Sequence, residues 1–187
     1  MEDILRTVPE QFETERLIIR MPMPGDGQAV WEAKQATRSS LAEWLPFIPL
    51  DDTVEETEAE LRRAALRYLE RSDFRLFLFR KGDGAYVGSS GLHRVDWTVP
   101  KVEIGYWVDA RYSGEGYITE AVDGVARFAE REMGARRIEI RCDKKNDKSR
   151  AVAERLGFTL EGILRQDTRY ERGGLRDTCI YAKVVTE

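Results

Sequence analysis

At 187 residues, with 42% apolar and 34% charged residues, the chain has the length and composition of one folded domain spanning 1–187, and it is too apolar to be disordered. A net charge of −4 offers no basic face for nucleic acid, so direct nucleic-acid binding is not expected and a cationic acceptor suits the chain better. The start, Met1-Glu2-Asp3-Ile4, lacks a basic-then-apolar leader, and no stretch approaches the roughly 18 uncharged apolar residues of a membrane span; a cytoplasmic protein without a membrane partner is expected.

Arg16 to Arg20 reads as a first strand ended by the prolines at 22 and 24, and Asp26 to Thr37 as a helix, with a second helical piece near Leu41 to Leu45. Thr53-Val54-Glu55-Glu56 has capping-box form and opens a helix to about Glu70, with Leu61, Ala65, Tyr68 and Leu69 on one stripe. Phe74 to Phe79, Tyr86 to Leu92 and Val102 to Val108 then read as an antiparallel meander in the middle of a sheet. From Tyr117 the apolar period becomes 3.6 and runs to Met133, with Gly134 as a stop. Arg137 to Cys142 alternates as a strand, Asp147 to Leu156 is a shorter helix, and a final hairpin spans Phe158 to Leu164 and Asp177 to Val184.

This order predicts an α+β fold: a mixed, mostly antiparallel central sheet flanked by helices, with one strand-helix-strand crossover where a ligand would sit. Cys142 and Cys179 lie far apart in the sequence without metal-ligand spacing and read as buried free thiols, and one histidine, His93, cannot complete a metal site with them. A lone histidine after a strand reads as structural, with contact to the substrate as its alternative.

Between Val108 and the helix that starts at Tyr117 lies Arg111-Tyr112-Ser113-Gly114-Glu115-Gly116-Tyr117. Two glycines let the backbone turn tightly and expose successive N–H groups, and the helix that follows points its positive end at the same place, which makes an anion-binding nest. The Lys-Ser/Thr of a P-loop and the third glycine of a dinucleotide fingerprint are missing, which argues against nucleotide hydrolysis and NAD chemistry.

Arg111-x-x-Gly114-x-Gly116 resembles the Gln/Arg-x-x-Gly-x-Gly/Ala signature of GCN5-related N-acetyltransferases, and Gly114-Glu115-Gly116-Tyr117-Ile118-Thr119-Glu120-Ala121 is similar to the form found in the bacterial ribosomal-protein acetyltransferase branch. Thr14-Glu15-Arg16-Leu17, Glu103-Ile104-Gly105-Tyr106-Trp107, and Asn146-x-x-Ser149 leading to Leu156-Gly157-Phe158 match that branch in the same order. The resemblance implies acetyl-CoA as donor, with transfer directly to an amine. It implies that the backbone of Val108 holds the pantetheine arm, that Arg111 and the amides of Gly114, Glu115, Gly116, Tyr117 and Ile118 hold the pyrophosphate, and that Asn146 touches the cofactor arm. The helix cap is the competing role for Asn146.

Acetyl transfer needs a neutral amine and a proton for the departing thiolate. Alternation puts Glu103, Gly105 and Trp107 on one face of their strand, a carboxylate beside a small and a large residue, so Glu103 is one candidate base and a surface glutamate is its alternative. Ser149 is the candidate proton donor, against a plain first-turn serine. Where some relatives carry a glutamate after the Leu-Glu-Gly segment, this chain has Thr168, with Asp167 one residue earlier and on the opposite face if the strand is regular. The base is therefore Glu103 or Asp167.

An α-amine, with a pKa near 8 against about 10.4 for lysine, needs only a modest base, which favours a protein N-terminus as acceptor. Small-molecule detoxification of an antibiotic, polyamine or aminoacyl conjugate is the alternative within the enzyme class, and a non-catalytic acyl-CoA-binding protein the alternative outside it. Arg38 to Pro49, with Trp44-Leu45-Pro46-Phe47, resembles the family's variable acceptor side; a helix pair closing the core, with Trp31 and Trp44 as packing residues, is its alternative. Family members often pair, so a homodimer is also implied.

Overall fold

The computed structural model describes residues 2–170 and 173–185. Eight strands form one sheet in the order β1-β2-β3-β4-β5-β6-β8-β7, with β1 Gln11–Glu13, β2 Leu17–Arg20, β3 Phe74–Arg80, β4 Tyr86–Asp96, β5 Lys101–Val108, β6 Arg137–Asp143, β7 Thr159–Arg169 and β8 Leu175–Val184. Every neighbouring pair is antiparallel except β5 and β6, which the helix α4, Tyr117–Met133, connects as a parallel crossover. The expected mixed, mostly antiparallel sheet is what forms. The meander β3-β4-β5 takes its centre.

Two helices cover each face. α1 (Gly27–Ala36) and α3 (Val54–Leu69) pack on one side, where Val30, Ala33 and Leu61 meet Phe77, Tyr86 and Trp107. α4 and α5 (Asp147–Arg155) pack on the other, where Ala121, Val122, Val125, Phe128 and Val152 enter the main core with Ile104, Ile138 and Ile140. A short helix α2, Arg38–Trp44, follows α1.

The local signals act as expected where the bonding is local. Thr53 accepts from the Glu56 amide at 3.1 Å while the Glu56 carboxylate accepts from the Thr53 amide at 2.8 Å, closing a reciprocal capping box. Gly134 caps α4 in the left-handed region at φ 68°. Leu61 and Tyr68 of the expected α3 stripe are buried, joined by Thr57 and Ala64, whereas Ala65 is only half-buried and Leu69 is 43% exposed at the stripe's edge.

The last hairpin is longer than the sequence suggests. Register shifts between Leu164 and Thr168, with Gln166 at φ 54° and its amide held by Asp177 at 3.0 Å, break the alternation there, so Asp167 and Thr168 do not follow a regular strand's two faces. Cys142 and Cys179, distant in sequence, are cross-strand partners of β6 and β8, both buried and both free.

Candidate active site

The site begins with a failure of pairing. β5 and β6 are bonded only at Lys101, Val102 and Glu103 against Arg137, Ile138 and Glu139, and beyond Glu103 the two strands separate. From Ile104 to Val108 the backbone of β5 is bonded to β4 on one edge and has no strand on the other. A gap with unused peptide groups on its wall is suited to an extended ligand that brings its own hydrogen-bonding groups.

At the open end of the gap lies the nest. Gly114 and Gly116 adopt φ 85° and 82°, and the amides of Gly114, Glu115 and Gly116 have no hydrogen-bond partner among the described residues. Nothing lies within 4 Å of where a Cβ on Gly114 would stand, so the cradle is open. The α4 N-terminus adds its unpaired first-turn N–H groups. Arg111 turns back instead of outward: its guanidinium makes a double contact with fully buried Asp109 at 2.9 and 2.5 Å, while the Ala110 amide is held by Thr37 at 2.8 Å. Arg111 therefore fixes the turn that carries the nest.

A lock ties the nest to the first strands. Glu120 accepts from the Thr14 hydroxyl at 2.6 Å, the Arg16 amide at 2.7 Å and the Arg16 guanidinium at 2.6 Å. Burial pushes the Glu120 carboxyl up, and these bonds outweigh it and hold it below the usual carboxylate range. Arg16 also donates to the Glu115 carbonyl at 3.0 Å and stacks 4.4 Å over the Tyr117 ring. Arg80 stacks 5.1 Å from the Tyr112 ring.

The two faces of the gap differ. On the α1/α3 face stand Glu103, Gly105 and Trp107, and His93 of β4 lies directly across from Glu103 in the register. Burial pushes the Glu103 carboxyl above its usual range, against the pull of Arg94, Arg141 and His93, and its Oε2 has no hydrogen-bond partner. On the α4/α5 face, Ser149 donates to the Tyr106 hydroxyl at 3.0 Å, and that hydroxyl donates to the Ser149 carbonyl at 2.9 Å. Burial pushes the Tyr106 phenol upward, and it pushes the Cys142 thiol to about 12, so neither group is anionic near neutrality. Asn146 caps α5, its Oδ1 accepting from the Ser149 amide at 3.1 Å.

Residues 16–159 match the family described as Acetyltransferase (GNAT) domain. The chain belongs to this acetyltransferase family. It is 33% identical over 177 residues to the "Putative ribosomal N-acetyltransferase YdaF" of Bacillus subtilis (strain 168), covering 92% of this chain and 93% of that protein. Among solved structures it is similar in fold to the ribosomal L7/L12 alpha-N-protein acetyltransferase RimL in complex with coenzyme A, with a TM-score of 0.85 at 22% identity, covering 95% and 97% of the two chains. It is similar as well to the microcin C7 self-immunity acetyltransferase MccE in complex with acetyl-CoA and AMP, with a TM-score of 0.84 at 22% identity, covering 95% and 98%.

The donor of an enzyme of this family is acetyl-CoA, and the acetyltransferase fits it on its own features: an open nest of unpartnered amides leading into a gap walled by unpartnered β5 backbone. Glu103 and the Ser149 hydroxyl both border this gap, on opposite faces. Asp167 lies exposed on the irregular part of the outer strand β7, away from the pairing of β5 with β6. Trp31 and Trp44 are half-buried, Trp31 donating to the Asp52 carbonyl at 2.7 Å, and Phe47 beyond α2 is 79% exposed.

Sequence reasoning passed over three features. Tyr106, on the face of β5 opposite Glu103, is the partner of Ser149, a pairing across 43 residues that spacing does not report. The Arg16–Glu120 lock joins two motif segments 104 residues apart, a coupling that no spacing rule reports. His93 stands inside β4 rather than after it. Its signal was the short strand estimate, which ended at Leu92.

Proposed function

We propose that this acetyltransferase works in the cytoplasm on the N-terminal α-amine of a protein, with Glu103 as proton acceptor for the amine and Ser149 as proton donor to the departing sulfur. The observation that carries this reading is the β5–β6 gap, which has a part-buried carboxylate, held only by the Arg94 ion pair at 3.4 Å, on one face and a serine–tyrosine hydroxyl pair on the other. A primary amine approaching from the α1/α3 face meets the base first. A sulfur held along β5 meets the hydroxyl pair. The two proton movements are thereby kept apart.

When bound, acetyl-CoA supplies a thioester carbonyl that a neutral amine can attack. The chain's own part is to hold and to move protons. The nest amides from Gly114 to Ile118 hold the pyrophosphate, the β5 backbone to Val108 holds the arm, and Asn146, whose Oδ1 is engaged in the cap, has its amide nitrogen left for the same arm. The raised Glu103 carboxyl is a stronger base than an ordinary glutamate once ionised, and an α-amine with an ordinary pKa near 8 loses its proton to such a group far more readily than a lysine does.

The protein acceptor is supported by the similarity to a relative named for ribosomal N-acetylation across nearly the full chain. The exposed Phe47 and half-buried Trp44 beyond α1 offer an apolar rest for a peptide. No described helix is long and apolar enough to cross a membrane, which fits the cytoplasmic setting. Pairing of two copies along the outer strand β7, where Leu160, Ile163 and Leu164 are exposed, belongs to the same reading, and sedimentation checks it.

The deciding experiment incubates the protein and acetyl-CoA with purified ribosomal proteins, with polyamines and with aminoglycosides, and follows free thiol and intact mass. Acetylation of a protein N-terminus is expected. Turnover confined to the small amines would replace this acceptor by the detoxifying one.

A further inference from the structure

Asp73, His93, Gly91, Gly105 and Glu103 form a cluster outside the motifs that define the family. The His93 Nδ1 stands 2.6 Å from the Asp73 carboxylate, and because a carboxylate only accepts, Nδ1 carries a proton, so that in the neutral ring Nε2 holds the lone pair. That lone pair has no hydrogen-bond partner among the described residues. Its location is set by two glycines on neighbouring strands: a Cβ on Gly91 would stand 2.9 Å from Nε2, and one on Gly105 3.1 Å from it. Gly105 faces Gly91 across β4 and β5, and the imidazole edge fills the place both side chains would have taken.

The row along this face of β5 is therefore Glu103, then the His93 ring over Gly105, then Trp107. It lies where β5 leaves β6, so the ring borders the mouth of the gap. The His93 side chain is 33% exposed, whereas Glu103 beside it is 19% exposed. Of the two neighbours the His93 ring is the more open to solvent.

We propose that His93 is a catalytic residue that takes a proton from the acceptor amine through Nε2, with Asp73 as the positioning residue that fixes its tautomer and ring plane. The inference rests on the reading that a primary amine enters at this face. In the step the amine N–H bond breaks, its electron pair stays on nitrogen, and the proton binds the Nε2 lone pair. The imidazolium keeps its Nδ1–H on Asp73 and releases the new proton to water. Each ammonium that becomes an amide sheds two protons: one leaves through His93 to water, and the other, taken by Glu103, in net terms replaces the proton that Ser149 gives to the departing sulfur, so the turnover releases one proton. The charged groups around the ring are Asp73 from the α3–β3 turn, Arg75 of β3 opposite Gly91 with its ion-pair partner Glu60 of α3, Arg94 on its own strand, Glu103 from β5, and Glu139 and Arg141 from β6, which face Glu103.

His93 is the sole histidine of the chain, which makes the test clean. A peptide with a free N-terminal α-amine serves as acceptor, and wild type is compared with H93Q and D73N. For H93Q, kcat falls about 100-fold, acetyl-CoA affinity by calorimetry changes less than about twofold, and the pH profile of kcat/KM loses one ionisation that wild type shows. For D73N, kcat falls about tenfold with acetyl-CoA affinity held, and the Nδ1–H tautomer is no longer the single species in the ¹⁵N spectrum. Independently of activity, the single imidazole signal of ¹⁵N-histidine-labelled wild type is expected as the Nδ1–H tautomer and shifts when the peptide is added. Retention of more than about a third of kcat with the wild-type pH profile in H93Q overturns the proposal, and so does an Nε2–H tautomer. Failure of the α-amine reading shows differently, as wild type that does not turn over the peptide.

Discussion

Removing the Glu120 carboxylate tests how the motif segments hold each other. Glu120→Ala deletes the acceptor of the Thr14 hydroxyl, the Arg16 amide and the Arg16 guanidinium. The first two are bonds from neutral donors to a carboxylate that solvent partly reaches, and with that screening discounted they contribute about 1 kcal/mol each. The ion pair is worth about 1 kcal/mol or less, because the Arg16 side chain is 41% exposed and solvent screens it. The sum is about 3 kcal/mol, which for a chain of this size lowers Tm by roughly 6–12 °C. Arg16 also steadies the Glu115 carbonyl and the Tyr117 ring, so the freed strut loosens the nest and coenzyme A affinity falls about fivefold. Calorimetric melting and titration with coenzyme A read both effects. The sign with pH follows from the lowered carboxyl: stabilisation is full above the unfolded carboxylate pKa near 4.3 and is lost as pH falls through the lower folded value, so wild type and variant converge in acid. A variant that melts within about 2 °C of wild type at pH 7 refutes the lock.

Three further outcomes follow from the site. Glu103→Gln is expected to slow turnover about 100-fold while raising stability at neutral pH: a carboxyl raised by burial favours the fold below its unfolded pKa and loses that contribution as pH rises through the folded value, so the neutral amide melts higher in a neutral-pH scan and abolishes the acid limb of the rate profile. Ser149→Ala should lower single-turnover thiol release about tenfold with the acetyl-CoA Kd nearly unchanged; an unaltered rate dismisses the serine as donor. With its thiol pushed up to about 12, native Cys142 should resist iodoacetamide at pH 8 for hours and label fully in urea, as followed by mass spectrometry.

Features closed by near neighbours in the chain were legible in advance. The capping box at Thr53 and Glu56, the left-handed stop at Gly134 and the apolar stripe of α4 are set by bonds and contacts three or four residues apart, so composition at fixed spacing reports them. So was the nest, because two glycines before a helix expose N–H groups whatever surrounds them. Strand β1, three residues long, gave no periodic signal, and the edges of the α3 stripe, Thr57 and Ala64 rather than Ala65 and Leu69, were set by the packing around the helix. The alternation argument at Asp167 fails because the Asp177 carboxylate, from the neighbouring strand, holds the Gln166 amide in an irregular segment.

The sequence by itself determined a crossover with an anion nest and the faces of β5, hence Glu103 beside Gly105 and Trp107. Only the tertiary structure decided that β5 parts from β6 after Glu103, that Glu120 reaches back to Thr14 and Arg16, and that Asp73 turns His93 over the two glycines. The reason is the range of the forces: turn and helix signals are written within a few residues, whereas a gap, a lock and a bed for an imidazole exist only when strands distant in the chain come to lie side by side.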